Sequence, residues 1–579
     1  MNNKFFILII IPCFFCIEEI LREDYDTKIE YKEDQIIISG KEVEYNKTTV
    51  NITSSGSYLV TGICNEGLIN IYSDSVYLYL ENLELSSSID SPIYIDRYLK
   101  DIKIIALNNV NISDYEERST TGGDCATIKI KRRSEVTFYN YNSFYIKGTC
   151  KNVIKGASNV SLIFESTPGE YIIDAFYIGI ASEGSILFKG GIFNITTEIS
   201  DGIHVKPDAN DTESLGNIII KDGTFYIRSH CDAFQSRNKI EIENGNFDIK
   251  TGEGFNDSHY DSETGNAKGF EVTNNNIGSE IIIYNGNFIV NTPDDSFHSD
   301  GNLTLINGNY TIYSSSDAIQ AFDYLLIGEK NSVEGPNISI MNCKEGIEGK
   351  NLVINSGKIN IKSKNDGINS SKKNKTNEIK SNSKPNLNIN GGEINIIYND
   401  NGLDSNGDIN LLGGDINLIR GEQGNEPIDY SGEFKLSNSS LIYIGKKGNK
   451  TLNEIIKGNQ NYAEYNESIE KNKLIKIKSE NNITIKTVEI TEETNYIFYT
   501  SYNLNENYTF YFSDIDGTNE EIFNVTFGKL KKEEIIKEEK EKDDDNWVWI
   551  ILGIVGAVVL AFIIFLIVRA IKRKNGTNN

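Results

Sequence analysis

Leu303-Thr-Leu305-Ile-Asn-Gly308-Asn-Tyr310-Thr-Ile312 and Leu352-Val-Ile354-Asn-Ser-Gly357-Lys-Ile359-Asn-Ile361 are written in one frame. Two alternating apolar positions precede a glycine and two more follow it. Each stretch then runs into an acid-small-apolar-polar step, Asp317-Ala-Ile319-Gln320 and Asp366-Gly-Ile368-Asn369. The frame recurs at Ile240/Ile242/Gly245/Phe247/Ile249, Ile281/Ile283/Gly286/Phe288/Val290, Leu387/Ile389/Gly392/Ile394/Ile396 and Ile409/Leu411/Gly414/Ile416/Leu418. Gly223 to Gly245, Gly286 to Gly308 and Gly392 to Gly414 are each 22 residues apart, and longer intervals read as the same unit with a loop inserted.

Period-two alternation predicts short strands with one side turned inward. The glycine tolerates positive φ at the corner between two of them, and the acid-opened step supplies a third strand. Three strands and three corners cannot bury their apolar positions alone, but a column of such units can. The sequence therefore predicts an all-β fold: a right-handed single-stranded parallel β-helix, three strands per coil, with a repeat of about 22 residues stacked at roughly 4.8 Å. A β-sandwich would need hairpin signals in place of a phase-locked repeat.

Working outward, the pattern spans residues 35–445. It is less regular before Gly191, where Ile93-Tyr-Ile95, Ala126-Thr-Ile128-Lys129 and Gly179-Ile180-Ala181-Ser182 resemble the step. Residues 446–528 change to longer Tyr-rich strands, such as Tyr496-Ile-Phe498-Tyr, and predict a small C-terminal β module. Residues 529–546 form a charged stalk. Residues 547–568 are apolar over a bilayer-spanning length and are followed by Arg569, Lys572, Arg573 and Lys574, the pattern of one transmembrane helix with residues 569–579 in the cytoplasm. Residues 1–17 read as a signal peptide. The expectation is a single-pass type I protein of the plasma membrane with an extracellular ectodomain.

A net charge of −26 excludes a nucleic-acid partner, since a phosphate backbone rewards Lys and Arg. Of 7 cysteines, Cys13 and Cys16 fall in the signal peptide. The remaining Cys64, Cys125, Cys150, Cys231 and Cys343 are too scattered for a disulfide framework. One Cys125–Cys150 bridge and solitary buried thiols both stand as readings. The mature chain has no CxxC pair and hence no zinc signal.

The fourth residue of the step is polar throughout: His204, Gln235, His298, Gln320, Glu348, Asn369, Asp404 and Asp429. Its apolar neighbour points inward, so strand alternation turns it outward, and stacking aligns these side chains in a ladder along one face. Such a ladder suits an extended sugar polymer; a row of merely solvated positions is the plainer reading. The first residue is an acid in most repeats: Asp201, Asp232, Asp295, Asp317, Glu345 and Asp366. Stacked carboxylates repel, so they either cap the amides of their own turns or share a cation. Phe193, Phe225, Phe247, Phe288 and Tyr310 occupy an inward slot and predict a core stack, whereas Tyr226, Tyr284 and Tyr398 are outward candidates for sugar contact.

Cys343-Lys-Glu-Gly-Ile-Glu-Gly-Lys-Asn-Leu-Val-Ile-Asn-Ser-Gly-Lys-Ile-Asn-Ile-Lys-Ser-Lys-Asn-Asp-Gly-Ile-Asn369 resembles the signature of a carbohydrate-binding β-helix family. Its bacterial members bind cellulose and pectic polysaccharide, are similar in fold to polysaccharide lyases and carry calcium. Gly402-Leu-Asp404-Ser-Asn-Gly407, running on to Pro427-Ile-Asp429-Tyr430, and Ala267-Lys-Gly-Phe270 add to the likeness, which covers residues 57–513. The apolar anchor and the insertion at 370–384 depart from it. The resemblance implies a non-catalytic binder of plant cell-wall glycans such as pectate or cellulose. It also implies Ca²⁺, with Asp294/Asp295/Asp317 and Asp400/Asp404 the densest candidates; the acidic chain would meet acidic pectin only through a cation.

Two other classes compete. A pectate-lyase-like enzyme would draw on the paired acids Asp294-Asp295 with Arg228 or Arg237 as base. However, the Gly-His-Gly and Arg-Ile-Lys steps of pectin-cleaving helices are absent. A surface or adhesin spacer is the other class; about eighteen Asn-x-Ser/Thr sites between Asn46 and Asn524 would suit a glycan-coated rod.

Overall fold

Thr224–Ser229 shows how the repeat folds. Its inward residues Phe225 and Ile227 lie in register with Phe193 and Ile195 of Ile192–Thr197 on one side and with Phe247 and Ile249 of Asn246–Thr251 on the other, all in parallel. Asn217–Ile220 pairs in the same way with Lys239–Ile242, and Phe234–Ser236 with Ile203–Val205 and Phe270–Val272. Each of these strands thus pairs with the strand three further along the chain. The pairings form three columns: one built from the acid-opened steps, one from the strands before the corner glycine, and one from the strands after it. They merge into one large, mostly parallel sheet. The computed structural model describes residues 24–115, 125–207, 216–255, 266–273, 279–371, 384–448 and 451–531, and the chain is all-β apart from the short helix Leu452–Ile455 among the described residues.

The corner glycines stack as the repeat predicts. Gly223, Gly245 and Gly286 have φ of +136°, +147° and +141°, and a Cβ on Gly245 would lie 3.1 Å from the carbonyl oxygen of Gly223. Glycine is required here by both conformation and close approach.

The interior is a set of side-chain ladders. Phe193, Phe225, Phe247, Phe288 and Tyr310 stack face to face at 5.0, 5.1, 4.6 and 4.8 Å. Phe234, Phe270 and Phe297 form a second stack at 4.9 Å per step, meeting the first edge-on. Each buried Phe or Ile contributes about 1.5–3 kcal/mol. Tyr226 and Tyr284 are exposed as predicted. Tyr398 is not: it is fully buried, because it shares the parity of the inward residues Ile394 and Ile396 along Glu393–Tyr398.

Antiparallel strands close both ends of the sheet, which would otherwise present open edges. Thr27–Lys32 pairs in parallel with Gly56–Cys64 and antiparallel with Gln35–Gly40. Ser440–Gly445 receives Tyr496–Ser501 antiparallel, and Asn461–Tyr465 and Thr526–Lys529 follow. A separate four-stranded antiparallel sheet holds Lys473–Lys478 and Thr484–Ile490. Its Ile475, Ile477 and Val488 share a second core with Ile419, Ile442 and Ile444, which explains why the last parallel strands carry apolar residues on their outer side.

Cys125 and Cys150 are disulfide-bonded, while Cys64 and Cys343 are buried thiols. Among the described residues no helix is long and apolar enough to cross a membrane. The signal peptide and the apolar stretch 547–568 lie outside the described residues.

Candidate functional site

The step column aligns the polar fourth residues in unbroken register: His204, Gln235, Glu271, His298, Gln320, Glu348, Asn369, Asp404 and Asp429. Glu271 belongs to this ladder although the sequence reading passed over it. Its step, Lys268-Gly-Phe270-Glu271, opens with a base instead of an acid.

Four of the step acids, Asp201, Asp232, Asp295 and Asp366, tie one repeat to the next. Asp201 Oδ1 accepts the Asp232 amide at 3.0 Å, Asp232 Oδ1 the Lys268 amide at 2.7 Å, and Asp295 Oδ1 the Asp317 amide at 3.0 Å. Asp366 Oδ1 does the same for Asn401 at 2.9 Å. The second oxygen takes the ladder residue of the same step. His204 Nδ1 lies 2.5 Å from Asp201 Oδ2, Gln235 Nε2 donates to Asp232 Oδ2 at 2.7 Å, and His298 Nδ1 meets Asp295 Oδ2 at 2.9 Å. Gln320 donates to Asp317 likewise. Acid at the first place and donor at the fourth are therefore one structural device, and this co-occurrence is the signal that was legible in sequence.

That device buries the middle of the ladder. Glu271, His298, Gln320, Glu348 and Asn369 are buried, whereas His204, Gln235 and Asp404 are half-buried and Asp429 is exposed. An open polar ladder running the full column is thus corrected: its two ends reach solvent and its centre is covered, with Phe322 edge-on against His298 and Ser371 Oγ on Glu348 at 2.6 Å.

At the first open end lies a cavity of about 220 Å³, lined by His204, Lys206, Gln235, Arg237, Asn266 and Glu271. Lys206 and Arg237 are both exposed and stand on successive repeats, each amide bonded to the strand before it. Arg228 is elsewhere, in an ion pair with Asp248 at 2.8 Å. Beneath the cavity, burial and the neighbouring Glu271 and Asp201 carboxylates push Asp232 well above the usual carboxylate range. Glu271 is held low despite its burial by Lys268. Burial alone would make His298 a weaker base, but Asp295 and Asp300 at 2.9 and 3.3 Å raise it to about 9.

The acids expected to hold a cation are distributed differently. Asp294 Oδ2 meets Lys268 Nζ at 2.8 Å and Asp295 is engaged by the Asp317 amide and His298, and among the described residues Asp294, Asp295 and Asp317 do not form a three-acid ligand group. Asp400 Oδ1 accepts from the Asn425 side chain. Asp404 is raised to about 7 by burial and by Asp366 and Asp429. The structure instead brings Asp317, Glu345 and Glu348 together, with ligand oxygens within 4.8 Å of one another. Beside them Asn369 Nδ2 donates to Glu345 at 3.1 Å, and Asn369 Oδ1 is a buried acceptor without a partner. This donor set of carboxylates and one amide oxygen fits a hard divalent cation.

A family model described as "Carbohydrate-binding domain-containing protein" matches residues 46–318 and 317–495. None of the curated proteins matches the chain. A solved structure titled as the polysaccharide lyase-like protein from C. thermocellum, gadolinium derivative, is similar at 21% identity and a TM-score of 0.35, over 44% of this chain and 96% of that one.

Proposed function

The chain belongs to the carbohydrate-binding domain-containing protein family, and from that premise we propose that it is a non-catalytic cell-surface protein that grips an extended polysaccharide, plant cell-wall glycans such as pectate or cellulose being the class the resemblance favours. The observation that carries the reading is the cavity at the open end of the step column, where His204, Gln235, Asn266 and Glu271 offer hydrogen-bonding groups beside Lys206 and Arg237. Sugar hydroxyls need such convergent polar groups on a rigid support. We infer that the three columns are the sides of a right-handed parallel β-helix. Parallel pairing of most strands with the third strand on supports the winding, and parallel crossovers are right-handed in about 98% of cases.

Asp317, Glu345, Glu348 and Asn369 would hold a calcium ion, which would neutralise stacked carboxylates. The cell-surface position rests on the sequence of residues 547–568. A glycan array probed with and without Ca²⁺ tests the binding claim. Retention on at least one polysaccharide is expected, and a blank array contradicts it. Incubation with pectate and Ca²⁺ tests the lyase alternative; no rise in ultraviolet absorbance from unsaturated uronide is expected, and a rise contradicts the non-catalytic reading.

A further inference from the structure

Every other step from Asp201 to Asp366 opens with an acid, but one opens with Lys268. Its backbone keeps the acid's place, since its amide is bonded to Asp232 at 2.7 Å just as the Asp317 amide is bonded to Asp295. Its side chain turns into the acid column and is almost buried, at 12% exposure. Nζ lies 2.8 Å from Asp294 Oδ2, 3.4 Å from Glu271 Oε1 and 2.8 Å from Asn266 Oδ1. Three oxygens from three positions of the chain thus converge on one positive centre. The donor set, two carboxylates and an amide oxygen, has the same chemistry as Asp317, Glu345, Glu348 and Asn369.

The step is also reversed as a unit. In the Asp201, Asp232, Asp295 and Asp317 steps the acid comes first and its His or Gln partner fourth; here the base comes first and Glu271, an acceptor, fourth. Buried carboxylates need a counter-charge close by. Two solutions to that need therefore stand in the same column.

We propose that Lys268 is a built-in counter-cation that fills the place a divalent metal would take among Asp294, Glu271 and Asn266, so that this repeat is metal-free by construction and any metal in the column is confined to the repeats beyond it. The inference rests on the cation reading of the column only for its second clause. Removal of the ammonium opens a ligand set for a hard cation. Lys268→Ala does this by truncation, and Lys268→Asp restores the acid that the other repeats carry.

The test is the number of Ca²⁺ bound per chain, counted by native mass spectrometry, with thermal melting in Ca²⁺ and in chelator. Lys268→Ala and Lys268→Asp are each expected to bind one more Ca²⁺ than the parent chain, to melt lower than it in chelator, and to regain that loss in Ca²⁺. Lys268→Arg, which keeps the charge, is expected to gain none. The inference is overturned if both variants fold with the parent's Ca²⁺ count, or if neither folds even in Ca²⁺. The parent's own count is read separately: a parent that binds none defeats the calcium proposal for Asp317, Glu345 and Glu348 but leaves Lys268 to be judged by the increment.

Discussion

Asp295 accepts a backbone amide of the following repeat with one oxygen and the His298 ring with the other. Asp295→Ala leaves both donors buried without a partner. Breaking a buried charged pair costs about 3–5 kcal/mol, so urea unfolding is expected to show a loss of that order, against a near-neutral effect for Asp429→Ala at the exposed end. His298 gives the same cluster a pH signature. Its pKa is raised from 6.5 to about 9, so the folded state binds the proton more tightly than the unfolded chain. That stabilisation is complete below the unfolded value and is lost as pH rises through about 9. Asp295, Asp300, Lys268 and Glu271 face the ring, and His298→Gln should flatten the decline in melting temperature between pH 7 and 10. At Glu345, substitution by Gln removes one oxygen charge from the three-acid group; any rise in melting temperature on adding Ca²⁺ to the parent should shrink in Glu345→Gln.

At the scale of the strand and the corner, the repeat depends on two kinds of stack. Phe247 lies between Phe225 and Phe288 at 5.1 and 4.6 Å, and Phe247→Ala is expected to cost about 3–5 kcal/mol because neither neighbour can close the gap alone. Gly245→Ala forces a side chain into positive φ against the Gly223 carbonyl, with an expected cost of about 1–3 kcal/mol; denaturant midpoints read both. These elements were legible in sequence because period-two alternation and a recurring glycine map directly onto strands and corners. Tyr398 was misread although its parity with Ile394 and Ile396 was in plain view. Burial of the ladder's centre was not legible, because alternation tells which side of a strand a residue occupies and not what lies over that side. Glu271 escaped for a simpler reason: its step begins with Lys268, so a search keyed on an acid missed it. The three-acid group at Asp317, Glu345 and Glu348 depends on side chains leaning between repeats, which spacing along the chain does not fix, whereas Asp294-Asp295 looked dense only because the two are adjacent in sequence.

For the whole molecule, a column of parallel strands closed at both ends by antiparallel pairing gives a rigid support whose ligand-facing groups are set by register. The step column is covered in its middle and open at its two ends, and the proposed polysaccharide contact is the end near His204 and Gln235. Arg237 lines that place and takes no part in the buried acid ties, which makes it the position where binding and stability separate. Affinity electrophoresis through gels containing dissolved polysaccharides measures this directly. The parent chain is predicted to be retarded in at least one polysaccharide, and Arg237→Ala to run measurably faster in that gel at an unchanged melting temperature. A parent chain that migrates alike in every gel, or a variant retarded as strongly as the parent, would contradict the account.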